Sequence, residues 1–452
     1  MSALAQGIGV GVAASLGAIA AAASGAGPFA LGAVAAATGL THAALWRLRP
    51  TKTPVVMLHS VVGDRAGRPG AFSLWCPPAM FEAYLQYLKR RRYHTITLTE
   101  LHQHLEHGTA LPSKPIVLTF DDGYLDNWVY AAPLLKKYGF TGTVFVPSDF
   151  VAPEERVRPT IEDVWAGKLS ESDLDVYGYM NRAELRAVAQ QGVLDVQSHG
   201  RTHTWLPYSE SVIEFHHPDL KLRHLRPTWW NAFPERKPYW FQRISVDDLP
   251  WGAPVYENRL ALAAPAVQPD PGLSAHLIAF TAEHGGREFF LRPDWRQQLQ
   301  RQVDVYRSEA PPSAKPESQE EFRARLRWEL EGSRLALEAI TGKPVRFMCW
   351  PNGGTCEQAF ELLNECGYWA ATLPSRAKQP NNNIGTRPDR IGRISATSFF
   401  RGTTTPLPWV VSFALKVERN RGNHYMELPI KAIWLYRKFV KPGGVTPPGA
   451  EE

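Results

Sequence analysis

Two short stretches carry residues whose types and spacing suit hydrolytic chemistry. Pro115 to Tyr124 reads PIVLTFDDGY, an apolar run that ends in Asp121, Asp122 and a glycine. Ser198 to His203 reads SHGRTH, which sets His199 and His203 four residues apart after another apolar run. Adjacent like charges repel, and a carboxylate near a core loses hydration, so a carboxylate pair calls for a nearby cation. Two imidazoles and one carboxylate are a common donor set for a divalent metal that keeps positions open for water. Successive residues of a strand point opposite ways. One carboxylate can therefore hold the ion while the other stays free as a base. On a turn of helix, residues i and i+4 share a face, and this reading puts the two histidines on such a turn. A lone DDG is usually a turn, and a lone HxxxH usually faces solvent. Together, each at the end of an expected strand, they point to a metal site.

The surrounding pattern supplies those strands. Pro54–Leu58, Ile116–Phe120, Thr141–Val146, Val193–Gln197 and Val345–Cys349 read as strands. Helical spacing covers Pro77–Arg91, Asn127–Tyr138 with Gly139 as its stop, and Asn181–Gln191 with Asn181 as cap and Gly192 after it. A further helix opens at Ser318 with a Ser318-x-x-Glu321 capping box and ends at Gly342, and another covers Glu357–Cys366. Strands alternating with helices imply parallel pairing. The fold class expected is α/β, a distorted (β/α) barrel of about seven strands with a large insertion. Strand ends at the mouth of such a fold are where its active sites lie. The insertion, about 204–316, is rich in proline and tryptophan (Trp205, Trp229, Trp230, Trp240, Trp251). It reads first as a packed subdomain, with one or two tryptophans facing the cleft as a sugar platform.

Thr119–Gly123 and Ser198–His203 resemble the first two motifs of the NodB-homology polysaccharide deacetylases, carbohydrate esterase family four. Arg346–Gly353 (RFMCWPNG) is similar to the third, and Val55–Ser60 (VVMLHS) resembles the opening of the permuted poly-N-acetylglucosamine deacetylase branch. The resemblance covers roughly 52–203 and 318–400. It implies that Asp122, His199 and His203 bind a divalent metal, commonly zinc. It implies Asp121 as general base and His59 as general acid toward the leaving amine. Asn352, Trp350 and Tyr124 become the candidates for contacting substrate or oxyanion, Asn352 through its backbone N–H. Four positions depart from the family pattern. Cys349 stands where a second arginine usually orients the catalytic aspartate, leaving Arg346 or Arg393 as substitutes. Asn352 replaces an aromatic residue, Leu58 a tyrosine and Ser60 an aspartate.

The activity implied is metal-dependent N-deacetylation of an N-acetylated amino sugar in a polysaccharide or lipid-linked glycan. O-acetyl esterase or deformylase chemistry on the same site is the related alternative, and a catalytically impaired carbohydrate-binding protein is the rival. The formal charge of +6 favours anionic partners, but no long basic run points to nucleic acid. Four cysteines without a CxxC pair exclude a disulfide framework and a zinc knuckle. The first 46 residues hold no Asp, Glu, Lys or Arg, so residues 1–49 read as a membrane anchor or targeting segment ahead of a barrel at 50–403. Residues 404–452 form a basic tail, in which Lys431, Arg437, Lys438 and Lys441 fall within about 120° of a helical wheel, as in an interfacial helix. Membrane association is thus expected. Arg47, Arg49 and Lys52 argue for the cytoplasmic side, and the family resemblance argues for the extracytoplasmic one.

Overall fold

The apolar runs expected as strands pair in parallel, and short helices return the chain between them. The computed structural model describes residues 52–63, 75–309, 313–373, 382–396 and 405–440. The 1–49 segment and Lys441 onward lie outside these residues. Eight strands form one path: β1 (Val55–Leu58), β2 (Pro115–Phe120), β3 (Gly142–Val146), β4 (Leu194–Ser198), β5 (Phe347–Met348), β6 (Ala370–Thr372), β7 (Arg390–Ile391) and β8 (Ile394–Ser395). Their spatial order is β7-β6-β5-β4-β3-β2-β1-β8. The two ends of this path, β7 and β8, are consecutive in the chain and separated only by Gly392 and Arg393. One segment therefore touches both edges and curls the sheet into a distorted barrel. Counting β7 and β8 as one split strand gives the seven expected. A further short strand, His94–Thr95, pairs with the start of β2.

Both faces of such a sheet are covered, so its strands are apolar throughout rather than alternating. All six residues of β2 are buried. The outer layer includes α1 (Pro78–Arg90), α2 (Leu98–His107), α3 (Ala132–Tyr138), α4 (Arg182–Gln191) and α5 (Gln319–Thr341). Their ends follow local chemistry. Asn181 with Glu184, and Ser318 with Glu321, form capping boxes, and Gly139, Gly192 and Gly342 end their helices in the left-handed region. The helix expected over Asn127–Tyr138 opens instead as a wide π turn, Asn127–Ala131, before α3. That expected over Glu357–Cys366 stops at Glu361.

The tryptophan-rich stretch contains an antiparallel strand pair, Trp205–Phe215 with Pro254–Leu260, whose register shifts twice. Those irregularities hide the alternation that would announce it in sequence. Helix Leu222–Ala232 packs beside it, and Trp229, Trp230 and Trp240 are 0%, 3% and 2% exposed. Most of these rings are core. Near the C-terminus, α6 (Pro406–Asn420) stacks Phe413 on Tyr84 of α1 at 4.3 Å, and α7 spans Glu427–Val440. Among the described residues no helix is long and apolar enough to cross a membrane.

Asp195 on β4 is a half-buried carboxylate within this frame and accepts from Gln197 Nε2 at 3.1 and 3.0 Å. Burial pushes its carboxyl up to about 6, against the smaller opposing pull of that hydrogen bond. The folded state thus holds this proton more tightly than the unfolded chain, where the ordinary value is near ~3.9. The group's stabilising contribution is complete below that value and is lost as pH rises through about 6. Asp195→Asn is expected to raise Tm at pH 8 by roughly 2–4 °C and to leave it unchanged near pH 4, read by circular dichroism. An equal shift at both pH values would rule out the ionisation as its cause.

Candidate active site

Strand register delivers the chemical residues. Leu58 lies opposite Phe120, and Ser198 lies opposite both Val146 and Met348. The next residues along these strands are His59, Asp121, His199 and Cys349. Backbone bonds fix them: Asp121 N–H to Leu58 O at 3.0 Å, His199 N–H to Val146 O at 3.0 Å, Cys349 N–H to Ser198 O at 2.9 Å. Asp122 then turns into the left-handed region, with φ 73°, followed by Gly123 at 69°. A side chain on Gly123 would begin 3.1 Å from both methyls of Val146 and strain the left-handed backbone, so glycine is favoured there.

The two carboxylates take different partners, although the left-handed turn at Asp122 rather than strand alternation separates them. Asp122 Oδ1 lies 3.2 Å from His199 Nε2 and 3.3 Å from His203 Nε2. Ligand atoms of the three residues all fall within 4.8 Å of one another. His199 Nδ1 is 2.8 Å from the carbonyl of Cys349, which only accepts, so Nδ1 carries the proton and Nε2 presents its lone pair. Nδ1 of His203 is buried without a hydrogen-bond partner, and its Nε2 has only the 3.3 Å contact with Asp122. Buried polar atoms are normally satisfied. An oxygen and two imidazole nitrogens converging around an orphaned ring fit a divalent cation, and fit zinc well. HGRTH is no helical turn, however. Gly200 and His203 both take positive φ, 74° and 48°, and the two rings meet through a loop.

Asp121 points to the other side. Arg393, from the closing segment, clamps it through Nη1 to Oδ1 at 2.6 Å and Nη2 to Oδ2 at 2.9 Å. Cys349 Sγ sits between the two partners, 3.5 Å from Asp121 Oδ2 and 3.1 Å from Arg393 Nη2. Burial alone would raise the Asp121 carboxyl; the Arg393 guanidinium, then His59 and His199, outweigh it and hold the group below its ordinary value. His59 Nε2 stands 3.8 Å from Asp121 Oδ2.

The other expected site residues are placed less uniformly. Arg346 does not reach Asp121: its Nη1 donates to Gly367 O at 3.2 Å, and the orienting cation is Arg393. Trp350 is 2% exposed and packs on Phe360 at 4.9 Å, so its ring is core rather than a sugar surface. Asn352 is exposed and left-handed, φ 47°, a conformation that asparagine tolerates better than an aromatic. Tyr124 is half-buried, 5.3 Å from the Tyr179 ring and 5.9 Å from Phe241.

The chain is similar to known proteins in this region. The polysaccharide deacetylase family profile matches residues 108–221, a span that holds Asp121, Asp122, His199 and His203. Residues 108–221 are thus similar to the polysaccharide deacetylase family. The chain is 37% identical to YxkH of Bacillus subtilis (strain 168) over 98 residues, which is 22% of this chain and 33% of that protein, so the match spans about a third of that relative's length. Among solved structures it is similar to a de-N-acetylase from Aggregatibacter actinomycetemcomitans, with TM-score 0.45, 16% identity, and 76% and 94% of the two chains covered. It is also similar to the BpsB deacetylase domain from Bordetella bronchiseptica, with TM-score 0.44, 17% identity, and 77% and 97% covered.

Outside the motifs, several residues shape this candidate site without being legible in sequence. On α5, Glu329 accepts from the backbone N–H groups of Arg201 and Thr202 at 3.1 and 3.0 Å, and from the Thr202 hydroxyl. One turn on, Ser333 donates to Gly200 O at 2.8 Å. The buried Lys237 donates to Thr202 O at 2.9 Å. Asp126 and Asn127, at the π turn, hold the other loop: Val61 N–H reaches Asp126 Oδ1 at 2.8 Å, and Asn127 Nδ2 reaches His59 O at 2.9 Å. The only sequence signal for Glu329 and Ser333 is a charged and a hydroxyl residue four apart on the apolar face of an amphipathic helix.

Glu329→Ala would strip two backbone donors of their acceptor and loosen the loop between His199 and His203. Affinity for added zinc, measured by chelator competition, is expected to fall about 10–100-fold, the usual effect of losing an outer-shell support. Unchanged affinity would mean that the loop keeps its shape without this carboxylate.

Proposed function

We propose that the protein is a zinc-dependent hydrolase that removes acetyl groups from N-acetylated amino sugars of a polysaccharide or lipid-linked glycan. The observation that carries this reading is the placement of Asp122, His199 and His203 around one point, beside an Asp121 already clamped by Arg393. A divalent cation on those three residues would supply Lewis acidity, lowering the pKa of water and polarising the acetyl carbonyl. Asp121, kept ionised by Arg393, takes the proton of the attacking water. His59 delivers a proton to the leaving nitrogen, and Asn127 and Asp126 hold its loop at the strand end. An amine leaves poorly without such a proton, so His59 beside Asp121 favours an amide substrate over an ester. The binding-protein alternative rested on Cys349, Leu58 and Asn352, and Arg393 supplies the cation that Cys349 lacks.

The test is acetate release from N-acetylated chitooligosaccharides by zinc-loaded protein. Asp121→Asn is expected to cut the rate about 10²–10⁴-fold while retaining zinc, as for loss of a general base. His203→Ala is expected to lose both zinc and activity. Turnover that persists in Asp121→Asn would overturn the assigned base.

Membrane attachment is part of the same proposal. It is supported by the 46-residue run without charged side chains and by Leu428, Trp434 and Leu435 on α7, 70%, 59% and 48% exposed beside Lys431. The full chain is expected to float with anionic vesicles, and Trp434→Ser with Leu435→Ser to weaken that flotation. Recovery of the full chain only in the vesicle-free fraction would refute it.

A further inference from the structure

One wall of the candidate site comes from the tryptophan-rich stretch. The rings of Trp205 and Trp230 lie 6.2 and 6.1 Å from that of His203, and Phe150 lies 6.0 Å away. Arg226, on helix Leu222–Ala232, is set into this wall. Its guanidinium carbon is 5.1 Å from the Trp205 ring, 5.2 Å from Trp230 and 5.9 Å from Trp240. Its Nε is fully buried with no hydrogen-bond partner, while the residue as a whole is half-buried.

Nothing in the reaction scheme uses this cation. Among the described residues Arg226 makes no ion pair, although many other arginines of the chain do, including Arg158 with Glu184 and Arg325 with Glu317. Indole faces offset part of the cost of desolvating a guanidinium, but they leave its fork of N–H donors unused. Arginine's planar fork matches the paired oxygens of a phosphate or carboxylate. A guanidinium within 6 Å of three indole rings loses little further freedom on binding one, so the subsite is built in advance.

We propose that Arg226 forms an anion-recognising subsite beside the metal ligands, taking a phosphate or carboxylate oxygen that the glycan carries near the acetamide to be cleaved. This rests on the glycan reading above and narrows it to acidic substrates: sugars bearing a phosphate, or glycans with a neighbouring uronic acid. A residue that merely packed the tryptophans would give no such preference.

Tryptophan fluorescence tests this directly, since the reporting indoles surround the guanidinium. Zinc-loaded protein is titrated with N-acetylglucosamine, N-acetylglucosamine 1-phosphate and a glucuronyl-N-acetylglucosamine disaccharide. At least one acidic ligand is expected to bind about tenfold tighter than the neutral sugar, the size of one charge-assisted hydrogen bond. Which one does so separates a phosphate source from a uronate source. The ratio is expected to drop to within about twofold of unity in Arg226→Met and to narrow with added salt. Arg226→Lys keeps the charge without the fork and must prefer the acidic ligand more than Arg226→Met does, which guards against a packing artefact. Equal affinities in the wild type, or an undiminished ratio in Arg226→Met, overturn the proposal. Acetate release from neutral chitooligosaccharides is followed on the same samples. Its absence with the anion preference intact counts against the deacetylase reading alone; loss of the preference with turnover intact counts against the subsite alone.

Discussion

Arg393, from the segment that joins the two ends of the strand path, meets Asp121 at the end of β2 inside it, and most of the site's order follows from that contact. Their side chains are 7% and 4% exposed. Taking two such ions out of water costs several kcal/mol each, which only close, multiply bonded geometry offsets. Here the geometry is bidentate, and Thr119 Oγ1 and Cys349 Sγ occupy further donors at 3.3 and 3.1 Å. Arg393 also lies between β7 and β8, the segment that joins the two edges of the sheet. One ion pair thus secures the closure of the barrel and fixes the orientation and charge of Asp121, the proposed base. Losing either partner would leave an uncompensated buried charge, generally worth about 3–5 kcal/mol. A lysine offers one point charge and cannot reproduce the fork.

The loops around that pair are held from outside by groups in the helical layer. Glu329 and Ser333, one turn apart on α5, grip the backbone of Arg201, Thr202 and Gly200. Asp126 and Asn127 grip His59 through Val61. Each support joins a loop at a strand end to a helix start or helix face, which is how a site keeps sub-ångström geometry without being buried in rigid sheet. The π turn at Asn127–Ala131 belongs to this device, because both gripping side chains project from its beginning.

The parts legible in sequence were those written in local chemistry. Apolar runs ending at Phe120 and Ser198 announced strands; the Asn181 and Ser318 capping boxes with the Gly192 and Gly342 stops bounded two helices to within a residue, and Gly139 marked the end of a third whose start is a π turn. Those strand ends, read with the family motifs, were enough to name Asp121, Asp122, His199, His203 and His59. Less visible was anything that depends on which distant segments meet. Arg346 and Arg393 were equal candidates in sequence; only the curl of the sheet brings the second to Asp121. HGRTH had helical spacing, yet positive φ at Gly200 and His203 makes it a loop, because Glu329 and Ser333 supply the hydrogen bonds a helix would otherwise make internally. Trp350 looked like a sugar contact through its motif and proved to be core, since a ring at that strand end points inward against Phe360.

Backbone strain is concentrated where the chemistry is. Five non-glycine residues among those described have positive φ, and three of them are Asp122, His203 and Asn352. Such conformations cost of order 1 kcal/mol each and persist only where surroundings enforce them. For Asp122 the consequence is concrete. In an extended strand its side chain would point directly away from that of Asp121, out of the mouth. The left-handed turn at Asp122 and Gly123 swings it back toward His199 and His203, while Asp121 stays on Arg393. Two adjacent carboxylates therefore serve one site without facing each other, and the strain at Asp122 is what makes that division possible.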